Sequence, residues 1–242
     1  IVIHGTPGED GKLQGYLDMV DIPYNTSSAA IMALTFQKFH CNQFLKNFGI
    51  NVPEATLIKP EDVINERQII DKVKLPCFVK PTDGGSSFGV TKVKKESELL
   101  PAIKEAFEAG TEVIVEENIE GREVTCGVYL SREEIKALSV TEIISENEYF
   151  DYDAKYNGKS KEITPADLDE EITNKIKVLT KKIYGTLGMT GIVRMDYILS
   201  KEETPFLIEI NSVPGMSKES IIPQMAKIDN IELSLMFWIN KI

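Results

Sequence analysis

Apolar residues recur along this chain with two periods, and the switches between them predict its elements. Helical spacing appears over residues 11–20 (Leu13, Leu17, Val20), from a cap at Ser27 or Ser28 through about residue 34, and over 36–48, stopped by Gly49. It returns over 61–72, over 96–109 with Leu99, Ile103 and Phe107 in one stripe, and over 168–187. Shorter helices follow Ser220 and Glu232. Strand-type runs are predicted at 1–4, 55–58, 76–81, 90–94 and 113–115, with 123–130 and 135–144 as a hairpin. The chain thus mixes strands and helices throughout, an α/β (α+β) fold class. Residues 145–165 carry no periodicity, and a polar stretch of that length inside a compact chain is usually functional.

The most informative pattern runs from Gly191 to Ser220, GIVRMDYILSKEETPFLIEINSVPGMSKES. It reads as two strands joined by a charged turn and followed by a Gly-Pro loop. Residues two apart share a strand face. Arg194 and Asp196 therefore fall on one side, with Val193, Met195, Tyr197 and Leu199 on the other. In the second strand Glu209 and Asn211 share a side, and Phe206, Ile208 and Ile210 take the opposite, core-facing one. If the strands pair, one cation, two carboxylates and an amide converge on one patch. Such hard oxygen donors suit Mg²⁺, which takes one or two carboxylates and fills its octahedron with water and phosphate oxygens. Arg194 fits beside the ion if both face phosphate. The plainer alternative is a solvated strand face.

Composition narrows the field. The chain has 242 residues, 42% hydrophobic and 27% charged, enough for one large domain or two to three small ones. A net charge of −11 and a pI near 4.8 argue against a nucleic-acid partner. Three scattered cysteines, Cys41, Cys77 and Cys126, argue for a reducing compartment and against a disulfide framework or a zinc site. No apolar run approaches the ~20 residues that span a bilayer, so a cytoplasmic location and no membrane partner are expected. The opening residues, IVIHGTPGEDG, read as a strand entering a glycine loop with nothing before it. Since a lone strand is not stable, upstream sequence is expected to exist.

Further candidate chemistry lies in the loops. TDGGSSFG, residues 82–89, joins two strands after Lys80; its glycines let backbone N–H groups approach phosphate, and Ser86 and Ser87 add hydroxyls. It lacks the Gly-Lys-Ser/Thr ending of a P-loop and fits a lid over a triphosphate, or an ordinary hairpin. Lys38 and Lys80 are candidate phosphate contacts. Glu116, Glu117 and Glu123 flank a strand end, where one could hold a ribose or all could form a solvated acidic turn. Lys155 and Tyr156 sit among aromatics in the polar stretch, which reads as a closing loop or as a self-packed Ω-loop. His4, at a strand end beside the glycine loop, is a site candidate.

In this order the motifs resemble the ATP-grasp superfamily and, within it, the D-alanine–D-alanine ligase family. HGTPGEDGKLQG, KPTDGGSSFG, VEENIEGRE, YDAKY, RMDYIL and EINSVPGMSKES carry the resemblance across nearly the whole chain. It implies two α+β subdomains clamping ATP, at 36–115 and 116–242, with residues 1–35 as the remnant of an N-terminal substrate-binding domain. It implies that Lys38, Lys80, Ser86, Ser87 and Lys155 hold ATP phosphates, that Glu116, Glu117 and Ile119 line the adenine site, and that Glu123 meets the ribose. Asp196, Glu209 and Asn211 would bind two Mg²⁺ ions, with Mn²⁺ a substitute. Arg194 and the Gly215 backbone would stabilise an oxyanion, Ser86 and Tyr156 would belong to a hydrogen-bonded set, and His4, Tyr156 and Ser220 would contact the D-alanine substrates. A homodimer is also implied. The implied activity is ATP-dependent joining of two D-alanines for peptidoglycan precursors. Another carboxylate–amine ligase, or a nucleotide-binding module without ligase activity, stands as the alternative.

Overall fold

A computed structural model describes residues 1–82, 89–131, 134–145 and 160–236. Three helices open the chain: α1 (Lys12–Met19), α2 (Ala29–Phe36) and α3 (Lys38–Lys46). Then follow β1 (Ala55–Ile58), α4 (Glu66–Val73), β2 (Cys77–Pro81), β3 (Thr91–Val93), a 3₁₀ turn (Glu96–Glu98), α5 (Leu99–Ala109) and β4 (Val113–Glu117). The second half contains β5 (Gly121–Ser131), β6 (Glu134–Ser145), β7 (Ser160–Ile163), α6 (Glu170–Thr186), β8 (Ile192–Ser200), β9 (Pro205–Asn211), α7 (Ile221–Ile228) and α8 (Leu233–Met236). The predicted elements are nearly all present; β7 is an addition, inside the stretch read as non-periodic and paired to β6, and two differences lie at the edges. Residues 1–4 form no strand, and α4 starts at Glu66, where Asn65 accepts from the Gln68 N–H and caps it.

The strands form two antiparallel sheets, β1-β4-β2-β3 and β7-β6-β5-β8-β9. On the first sheet Cys77, Val79, Val113 and Val115 pack against Ile69 and Val73 of α4 and Leu99, Ile103 and Ala106 of α5. On the second, Val124, Cys126, Val128, Val193, Met195 and Tyr197 pack against Ile176, Ile183 and Tyr184 of α6. Cys41 and Leu45 of α3 join this second core. The other face of β5 and β6 receives α7, because Gly127 has no side chain. A Cβ there would lie 2.6 Å from Ile222 Cδ1 and 3.1 Å from Met225 Sδ.

One predicted face is corrected. Asp196 pairs with Glu209, but the next residue, Tyr197, pairs with Leu207, so Ile208 is an extra residue in β9. This β-bulge reverses the alternation. Leu207, fully buried, joins Ile210 in the core, while Phe206 falls opposite Ile198 on the polar face. The bulged backbone is held from α3 and its following loop: Asn42 Nδ2 donates to the Ile208 carbonyl at 3.1 Å, and Leu207 N–H to Asn51 O at 2.9 Å. Two adjacent apolar residues carry no sign of a bulge, which is why strict alternation placed Phe206 and Ile208 in the core.

Candidate functional site

The second sheet brings the polar residues of β8 and β9 into one square, with Arg194 opposite Asn211 and Asp196 opposite Glu209. Asp196, only 7% exposed, is the hub. Its Oδ1 accepts from Thr125 Oγ1 (2.6 Å) and Arg194 Nε (2.9 Å); its Oδ2 accepts from Arg194 Nη2 (2.9 Å) and Asn211 Nδ2 (2.8 Å). Thr125 was not singled out from the sequence. Its signal was there: a hydroxyl amid the apolar run of β5, on the register position facing Asp196. Burial pulls the Arg194 pKa down, but Asp196, Glu209 and Glu123 more than offset this and hold it above its ordinary value. The guanidinium is a permanent cation.

Lys38 reaches this square from the start of α3, its Nζ 3.5 Å from Glu209 Oε2. Helical spacing explains the arrangement: Lys38 and Asn42, one turn apart, meet adjacent residues of β9, Glu209 and Ile208. The Lys38 N–H also donates to Thr82 O at 3.2 Å, tying α3 to the end of β2, two residues beyond Lys80. Lys80 and Glu116 form a buried ion pair at 2.7 Å on the polar face of the first sheet. Thr82 Oγ1 beside them is buried without a hydrogen-bond partner among the described residues. Glu117 turns elsewhere and accepts from the Glu54 N–H at 3.1 Å. Ile119, half-buried, lies between β4 and β5. Glu123 shares a row with Ile198 and Phe206, on the face that carries Asp196.

Past β9, Gly215 faces Ser220, and a Cβ on Gly215 would sit 2.7 Å from Ser220 Oγ. Ser220 precedes α7 and shares a 2.8 Å hydrogen bond with Ser217 Oγ. His4 is exposed, and its charge acts on Glu9, a carboxylate the sequence reading passed over. Glu9 accepts from the Gly5 N–H at 2.6 Å, and the Val213 peptide N–H and Glu209 act on it electrostatically, which places the glycine loop beside the segment after β9. Burial raises its pKa, reinforced by Glu209 and opposed by those N–H groups and His4. A carboxylate inside a glycine loop, next to a histidine, was the available signal. Ser86, Ser87, Lys155 and Tyr156 lie outside the described residues.

The donor chemistry suits a hard divalent cation, which would displace one of the four donors that fill the acceptor positions of Asp196. Two carboxylates stand side by side across β8 and β9, and the Asn211 nitrogen turns to Asp196, which leaves its Oδ1 as the end for a metal. Adjacent carboxylates repel, and Arg194 and Lys38 compensate them.

Comparison with known proteins decides which family the chain belongs to. The family model described as D-ala D-ala ligase C-terminus matches residues 44–237. The chain belongs to the D-alanine–D-alanine ligase family. Relatives include the D-alanine–D-alanine ligase of Phocaeicola vulgatus, 48% identical over 96% of this chain and 72% of that protein. The ligase of Porphyromonas gingivalis is 47% identical over 96% and 71%. Among solved ligases, a D-Ala:D-Ser ligase from Enterococcus faecalis superposes with a TM-score of 0.86 at 37% identity, covering 98% of this chain and 69% of that one. The Bacillus anthracis D-alanine–D-alanine ligase complexed with ATP gives 0.83 at 27% identity, covering 97% and 75%. The two-sheet α+β architecture is therefore that of the ATP-grasp ligases.

Proposed function

We propose that this chain carries the ATP-grasp half of a D-alanine–D-alanine ligase, joining two D-alanines for peptidoglycan precursors at the expense of ATP. The observation that carries the reading is the square of Arg194, Asp196, Glu209 and Asn211, with Lys38 bridging it to the strand of Lys80. A carboxylate and an amine do not condense in water, so the first D-alanine must be activated, here as an acyl phosphate. Lys38 and Lys80 neutralise the phosphate oxygens, with Lys155, Ser86 and Ser87 assigned to the same task by resemblance. Asp196, Glu209 and Asn211 would hold Mg²⁺, which when bound would supply charge neutralisation to the phosphate oxygens. Glu116, Glu117, Ile119 and Glu123 are assigned to the adenosine.

The amine of the second D-alanine then attacks the acyl carbon. The C–N bond forms, the oxyanion is met by Arg194 and the Gly215 N–H, and the C–O bond to phosphate breaks on collapse. Ser220 grips the second carboxylate, which the first turn of α7 also favours. His4 and Tyr156 contact substrate, and Ser86 with Tyr156 completes the hydrogen-bonded set. Residues 36–115 and 116–242 are taken as the two clamping halves.

The test is a phosphate-release assay of the purified protein with ATP, Mg²⁺ and D-alanine, with product mass as the second readout. D-alanyl-D-alanine is expected, and it should dominate over D-Ala-D-Ser and the D-lactate depsipeptide when those acceptors compete near neutral pH. Hydrolysis with other amino acids only would reassign the substrate, and ATP binding without turnover would favour the nucleotide-module reading. No described helix is long and apolar enough to cross a membrane. The reading assigns the enzyme to the cytoplasm, where ATP is available, as a homodimer, to be checked by light scattering.

A further inference from the structure

The helix that presents Ser220 is pinned at three points. Near its C-terminal end, Asp229 accepts from the Ser139 N–H (2.7 Å) and its hydroxyl (2.5 Å) on β6. In the middle, Ile222 and Met225 seat over Gly127. At the N-terminal end the pin is a side-chain relay. Gln224 Nε2 donates to Glu162 Oε2 of β7 at 3.1 Å and to the carbonyl of Glu219 at 2.9 Å. Gln224 N–H also closes the first helical turn onto Ser220 O at 3.2 Å.

The first two pins hold the buried side of α7, with Ile222 seating the apolar side of its first turn, and neither bonds the peptide before Ser220. The relay acts on the peptide immediately before Ser220. Without it, the Glu219 carbonyl loses a donor, and among the described residues the turn from Ser217 to Ser220 keeps its local bonds: the Ser217–Ser220 hydroxyl pair, Ser220 N–H to Ser217 O at 2.9 Å and the helical Gln224 N–H to Ser220 O. Glu162 is half-buried and lies one row from Thr164, Thr141, Thr125 and Asp196, on the same face of the sheet. Arg194 acts on it electrostatically, which locates it at the margin of the site and not on a remote surface.

We propose that Glu162, acting through Gln224 and the Glu219 carbonyl, is a positioning residue that sets Ser220 for the second amino acid. This rests on the assignment of Ser220 to the second substrate's carboxylate. Glu162 forms no hydrogen bond or ion pair with Arg194, Lys38 or Lys80 among the described residues, so the relay reaches Ser220 without contact to the groups assigned to the oxyanion and the phosphates.

The experiment is steady-state kinetics on E162A, E162Q, Q224A and the E162A/Q224A double variant, with D-alanine and ATP varied separately. The expected result is a second-site D-alanine KM raised about three- to tenfold in E162A and Q224A, the size of one lost hydrogen bond. Expected too are kcat and the ATP KM within about twofold of wild type, a double variant no worse than the worse single one, and rescue in E162Q, whose amide oxygen still accepts from Gln224. Equal rises in both KM values, additive single effects, or unchanged second-site affinity in E162A would each overturn the proposal. If E162A fails to fold, Q224A carries the same comparison from a partly exposed position. A wild-type protein that makes no dipeptide refutes the functional reading itself; dipeptide formation without the KM split refutes only the relay.

Discussion

Asp196 receives four hydrogen bonds from three side chains, two of them from the single guanidinium of Arg194. Such a buried network depends on each member, because a lone unsatisfied polar group costs about 1–3 kcal/mol. Thr125→Val keeps the shape and deletes one donor. It should lower stability to urea by that amount and raise the Mg²⁺ concentration for half-maximal activity roughly tenfold or more, as loss of a ligand's hydrogen-bond partner does. Arg194→Lys keeps the charge but not the fork. Its kcat should fall by about 10²–10³ with a smaller change in the ATP KM, in single-turnover assays. Glu9 and Glu162 behave in the opposite sense to most carboxylates, since burial raises both pKa values. Each folded carboxyl holds its proton to higher pH than in the unfolded chain. Its contribution to stability therefore falls as pH rises from the ordinary carboxylate pKa to the raised one. The stability difference between wild type and Glu162→Gln should decline across that window in melts run from pH 4 to 7, and a flat difference would contradict it.

At the scale of elements, most of the architecture was legible because periodicity and stop signals agreed. The stripe of Leu99 and Ile103 is buried as its spacing requires, and α3 closes before Gly49. The face of β8 was also legible, down to Arg194 and Asp196. The face of β9 was legible only beyond the bulge: Glu209 and Asn211 were assigned correctly, Phe206 and Ile208 were not. A phase change between two apolar residues leaves no mark in hydropathy. What stabilises it comes from far along the chain, in the Asn42 amide that caps the Ile208 carbonyl. Asn42→Ala should therefore cost about 1–3 kcal/mol by denaturant titration. It should also lower activity, since Lys38 sits on the same helix one turn earlier. The relay through Gln224 was equally invisible, because an amide on a short helix carries no periodic signature.

On the scale of the whole molecule, one core lies on the first sheet and one on each face of the second; α3 belongs to the core that α6 covers, while its first N–H bonds the residue that follows the first sheet's β2. The three cysteines report on the first sheet's core and on the core under α6. Cys77 is in the first, Cys41 and Cys126 in the second, and all are buried and free. Burial pushes Cys41 and Cys126 up to about 12 and Cys77 up to about 11. Since the thiolate is the reactive form, none should be modified by a thiol reagent at pH 8 in the native protein. All three should react in denaturant, and saturating ATP with Mg²⁺ should slow any intermediate-denaturant labelling, as binding to the native state requires. Rapid native modification of Cys77 alone would mean that the first sheet opens independently of the second.

The extra residue at Ile208 has a bearing on which length changes this gene can absorb. The charged turn joining β8 to β9, residues 201–204, lies upstream of it and is exposed over residues 201–203, so an insertion there only enlarges a surface bend. Removing any one residue between 205 and 208 is another matter. It would straighten the ribbon and take away the bulged peptide whose carbonyl Asn42 holds, which loosens β9 from the helix that carries Lys38. Among ligases of this kind, gaps should cluster in the bend and be absent from the seven positions that follow it.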